Sequence, residues 1–194
     1  HMTVLVPVNE GPGRRIKNGR GEWTASRDAH PNSTGARLLG LPTVDAPTLE
    51  TSVRDSAGPI LVLDAHAHPW LASEAAAAAA AGREVAVAAR LRTPLVDAAA
   101  LVLPAASWAE TEGSYTSSTG RVQVARRALA PAAQARPVWE MLHRLAVELG
   151  MDQARAVSPR ILFAEMAVAV PAFSGITWGR LLGGAALAVH GEVA

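Results

Sequence analysis

Three short apolar runs, residues 59–64 (PILVLD), 84–89 (EVAVAA) and 101–103 (LVL), alternate with segments that spell helices. Between the first two, Ser73 and Glu74 open a run of alanines at 75–81 and Gly82 closes it. Alanine has the highest helix propensity, and glycine ends helices because it tolerates left-handed backbone. Between the second and third, Thr93 stands where an N-cap is needed and Pro94 at the first helical position. Strand, helix, strand, helix, strand in this order predicts parallel βαβ units. Strands of parallel sheets are apolar throughout because helices cover both faces, and residues 59–64 have that character. The expected fold class is therefore α/β: a Rossmann-like parallel sheet with flanking helices, followed by a helical C-terminal extension.

The remaining segments are read around that frame. Residues 1–2 read as a tag remnant, and 3–8 as a short β-type run. Residues 9–30 are polar and glycine-rich, with Arg14, Arg15, Lys17 and Arg20 close together, and read as a solvated loop. Gly11-Pro12-Gly13 and Gly19-Arg20-Gly21 lack the Lys-Ser/Thr ending of a phosphate-binding loop. Asn32, Ser33 and Thr34 are N-cap residues for a short helix that Gly40 ends, and 42–58 reads as a connector carrying Asp45, Glu50 and Asp55. Residues 124–135 are basic and alanine-rich. Val138, Met141, Leu142, Leu145 and Leu149 recur at helical spacing up to Gly150. Ser158-Pro159 starts another helix that Pro171 ends, and 183–194 carries little pattern. The expected division is an α/β domain over 3–125 and a mainly helical part over 126–194.

Composition narrows the chemistry. The 194 residues are 49% hydrophobic, so a sizeable core is available, although much of it is alanine. A net charge of +1 gives no argument for nucleic acid or an anionic membrane. The absence of cysteine removes disulfides, iron–sulfur ligands, cysteine zinc sites and thiol catalysis. No apolar run approaches the roughly 20 residues of a membrane span. The five tryptophans are spread along the chain and read as packing anchors.

Two sets of residues stand out as chemical candidates. Asp64, His66 and His68 follow the first strand, and two histidines at i, i+2 point the same way, so they could hold one metal. The string resembles the histidine pair of the amidohydrolase family, which implies a small metal-dependent hydrolase. Against that, His143 and His190 are the only later histidines, and an amidohydrolase barrel needs about 250 residues. The alternative is two polar loop residues above a sheet. No Gly-x-Ser-x-Gly elbow occurs, and Glu110 and Glu112 read as solvated acids. The second candidate is the loop after the third strand, with Glu110, Gly113, Gly120, Arg121 and Gln123 at intervals; α/β proteins place ligands at such strand ends.

Residues 99–110 (AALVLPAASWAE), 112–116 (EGSYT) and 120–123 (GRVQ) resemble a string of the molybdopterin oxidoreductase family, nearest to the large iron–sulfur subunit of NADH:quinone oxidoreductase. The likeness extends to 32–36 (NSTGA), 136–140 (RPVWE) and 170–178 (VPAFSGITW), and so covers roughly 31–182. The last string points to the NADH:quinone oxidoreductase subunit over the formate dehydrogenases. The resemblance implies a C-terminal piece of that large subunit, cytoplasmic and peripheral to the inner face of the membrane, with the complex's other subunits as partners. Iron–sulfur clusters would sit elsewhere in the parent subunit, and in a molybdenum enzyme Gly113, Ser117, Gly120, Arg121 and Gln123 would line the pterin. Two departures favour a scaffold without cofactor: the family's Asn and Glu are Ser117 and Thr119 here. The family's glycine-bearing nucleotide loop is replaced by residues 65–69 (AHAHP). Arg121 and Glu110 are then expected to pair and pin the loop.

Overall fold

The computed structural model describes residues 3–8, 15–24, 30, 32–64, 68–151 and 158–190. In chain order its first elements are β1 (Val6–Pro7), β2 (Arg15–Asn18), β3 (Gly21–Thr24), α1 (Ser33–Leu38), β4 (Thr43–Val44), α2 (Ala46–Asp55), β5 (Ile60–Asp64), α3 (Glu74–Ala79) and β6 (Val85–Ala89). There follow α4 (Pro94–Ala98), β7 (Leu101–Pro104), β8 (Gly113–Thr116), β9 (Arg121–Ala125), α5 (Val138–Glu148), α6 (Pro159–Ala169), α7 (Trp178–Leu182) and β10 (Leu187–Ala188). The chain forms two compact units, each assembled from separated stretches. One takes residues 1–49, 115–123 and 166–194, the other 50–114 and 124–165.

The second unit is built on the parallel sheet β5-β6-β7, with Val62 beside Val87 and Val87 beside Val102. The local signals work as expected: Ser73 Oγ accepts the Ala76 N–H, Thr93 Oγ1 accepts the Val96 N–H, and Gly82 sits at φ 74°. One sheet face carries Ile60, Val62, Val85, Val87 and Ala89, which pack with Leu71, Ala76, Ala80 and Leu95 in the core. Ala76 is fully buried, which a larger side chain at that position would prevent by holding the helix away from the sheet. The other face differs from expectation. Leu61, Ala86 and Leu101 form one row, and Leu61 and Leu101 remain 43% and 53% exposed. Burial of β5 on both faces is thus not observed: the helices that carry the core residues, α3 and α4, lie against one face only.

The expected connector over 42–58 is also corrected. It contains β4 and the helix α2, whose first turn is capped by Asp45 Oδ1 accepting the Thr48 N–H at 2.9 Å. Hydrogen bonds from Thr48 hold the Asp45 carboxyl below its ordinary range. A Glu50–Arg54 ion pair at i,i+4 adds surface support, and Leu49 supplies the buried contact.

In the first unit β1 pairs in parallel with β4, and β2 and β3 form a hairpin inside the stretch expected to be loop. The hairpin forms because Gly21, at φ 141°, takes backbone that other residues avoid, and Arg15 pairs with Glu22 across the strands. Arg14 and residues 11–13 lie outside the described residues. Further sheet pairing runs β10-β9-β8, so the patternless tail contributes a strand. Phe173, Ile176, Trp178 and Leu181 are buried around α7, whose N-cap Thr177 accepts the Arg180 N–H. The helices expected after 137 and 158 are present as α5 and α6. Among the described residues no helix is long and apolar enough to cross a membrane.

The two sheet faces make opposite predictions for one residue type. Leu95→Ala, at a 3% exposed position, should lower unfolding free energy by about 2–5 kcal/mol in urea titrations. Leu101→Ala, on the open face, should change it by about 0.5 kcal/mol or less.

Candidate functional site

The glycine-punctuated stretch folds as a hairpin, β8 and β9 joined through Ser117–Gly120. Its turn is closed by its own atoms. Ser117 N–H donates to the Arg121 carbonyl at 2.9 Å, and Gly120 N–H to the Ser117 carbonyl at 2.9 Å. Gly120 adopts φ 71°, the left-handed conformation that makes glycine the fitting residue there. The Ser117 hydroxyl accepts the Arg121 N–H at 3.1 Å and pairs with the Thr119 hydroxyl at 3.0 Å. On β9, Val122 is fully buried, while Arg121 and Gln123 alternate with it on the exposed face. Arg121 Nη1 donates to the Ala186 carbonyl at 3.4 Å. Gly113 begins β8, and burial pushes the Tyr115 phenol up.

The hairpin is held by a residue that the sequence offered for another role. Asn32 precedes α1 but makes no side-chain cap; it sits in the left-handed region at φ 68°. Its Oδ1 instead accepts the Thr116 N–H at 2.8 Å, across 84 residues of sequence. Thr116 is 3% exposed, so this bond satisfies a backbone donor that water does not reach. Gly35 faces the same point: a Cβ there would lie 2.3 Å from Asn32 Oδ1. The signal for this pair was an asparagine able to take left-handed backbone, three residues before a glycine inside a helix.

Glu110 is committed to backbone donors of its own unit. Its Oε2 accepts the Ser107 N–H at 2.7 Å, closing a capping box around the short turn Trp108–Glu110. Its Oε1 accepts the Ala132 N–H at 3.2 Å. Those donors, Ser107 first, hold its carboxyl below the ordinary glutamate range, with a smaller contribution from the Arg90 charge.

The metal reading is placed only in part. Asp64 ends β5, His66 lies outside the described residues, and His68 is buried with its Nδ1 accepting the Trp70 N–H at 3.2 Å. Among the described residues no group of three or more His, Cys, Asp or Glu could hold a metal ion. His190 is engaged with the Ser174 carbonyl at 2.9 Å.

Residues 69–148 match the molybdopterin oxidoreductase family. That match takes in α3 to α5, with the hairpin at its centre. The alpha subunit of F420-dependent formate dehydrogenase 2 from Methanococcus maripaludis is 38% identical over 82 residues, 42% of this chain and 12% of the relative. An NADH-quinone oxidoreductase subunit from Pseudomonas putida is 42% identical over 93 residues, 47% of this chain and 10% of the relative. The alpha subunit of a NADPH-Fe(3+) oxidoreductase from Geobacter sulfurreducens is 36% identical over 76 residues, 39% of this chain and 9% of the relative. The aligned stretch thus spans about a tenth of each of these curated relatives.

A pterin edge is recognised by paired donors and acceptors such as an amide presents. At position 117 a hydroxyl stands instead, and it is engaged by the Arg121 N–H and the Thr119 hydroxyl. Among the five residues proposed to line a cofactor, Arg121 and Gln123 are the two with exposed side chains on a common strand face.

Two measurements follow. Asn32→Gly keeps the left-handed backbone and deletes the bond to Thr116, so it should cost about 1–3 kcal/mol in urea unfolding. A cost below that range would mean Thr116 N–H is satisfied otherwise. Glu110, with its carboxyl held low, contributes stability above the ordinary glutamate range and loses it as pH falls through the lowered folded-state value. Melting curves of Glu110→Gln should therefore lie below the parent at pH 7, and the gap should close in acid.

Proposed function

We propose that this chain is a structural, non-catalytic domain of the large subunit of a proton-pumping NADH:quinone oxidoreductase. On this reading the sheet β5-β6-β7 is the remnant of a Rossmann-like cofactor domain, and α5 to α7 belong to a helical C-terminal extension. The observation that carries it is the hairpin tip, where Ser117 commits its hydroxyl to its own turn. The similarity to the P. putida NADH-quinone oxidoreductase subunit, the longest of the three matches described, supports the choice of complex. The partners would be other parts and subunits of that complex, and through them the chain would sit at the cytoplasmic side of the membrane. Electron transfer would belong to the cofactors of the whole assembly, because this chain has no cysteine to ligate a cluster.

A second reading has its own support. The formate dehydrogenase alpha subunits match the chain comparably well, and Arg121 and Gln123 present polar side chains on one exposed strand face. This reading makes the chain a pterin-cofactor-binding domain of a molybdenum oxidoreductase, with Gly113, Ser117, Gly120, Arg121 and Gln123 around the cofactor.

Tagged chain recovered from gently solubilised membranes of its own cell separates the two. The scaffold reading expects co-purification with NADH:quinone oxidoreductase activity, unchanged by Arg121→Ala. Co-purification with formate-oxidising activity, lost together with bound pterin in Arg121→Ala, would replace it with the second reading.

A further inference from the structure

We draw no further inference here: the strongest candidate, the open apolar face of the sheet β5-β6-β7 with Leu61 and Leu101 exposed on it, carries nothing, because nothing in the structure shows what covers it.

Discussion

The second unit depends on the pairing of β6 with a parallel neighbour on either side. Val87 and Ala88 at its middle are 1% and 0% exposed, and Val85, Val87 and Ala89 of this strand lie in the core cluster with Ala76 and Leu95 of the crossover helices. Parallel strands cannot be joined by tight turns, so each pairing requires a crossover, and α3 and α4 are those crossovers. Because the crossover helices present alanines and Leu95 to the sheet, they approach closely without aromatic bulk. The same sheet delivers the chain at Pro104 into the capped turn at Trp108–Glu110 and then into the hairpin.

Much of this was legible in residue order. The runs at 59–64, 84–89 and 101–103 became β5, β6 and β7, and Ser73, Thr93 and Ser158 act as the caps their types suggest. These features are local, so a window of ten residues contains the physics that decides them. α2 was missed because its apolar content is slight, with Leu49 its one buried residue, although Asp45 and the Glu50–Arg54 spacing marked it. The open face of β5 was illegible for a different reason. An apolar strand announces that it can be buried on two sides, not that two layers will reach it.

The candidate site divides along the same line. The turn at Ser117–Gly120 could be placed from its glycine and short polar residues. Its attachment through Asn32 could not, because 84 residues separate the partners and Asn32 also suits a helix N-cap. Glu110 and Arg121 looked like an ion pair on charge alone. The structure gives the carboxylate to the Ser107 and Ala132 N–H groups, which need an acceptor. The tryptophans make the same point: type suggests packing, but Trp108 stands in solvent.

The central claim is that a molybdopterin-oxidoreductase-like hairpin serves here as scaffold, its tip hydroxyl bound into its own turn. The most direct measurement is the molybdenum and pterin content of the purified chain, by metal mass spectrometry and fluorescence of oxidised pterin. The account predicts neither molybdenum nor pterin above trace per chain, with the same result for Ser117→Ala. Near-stoichiometric pterin, lost on that substitution, would contradict it and make the hairpin a cofactor site.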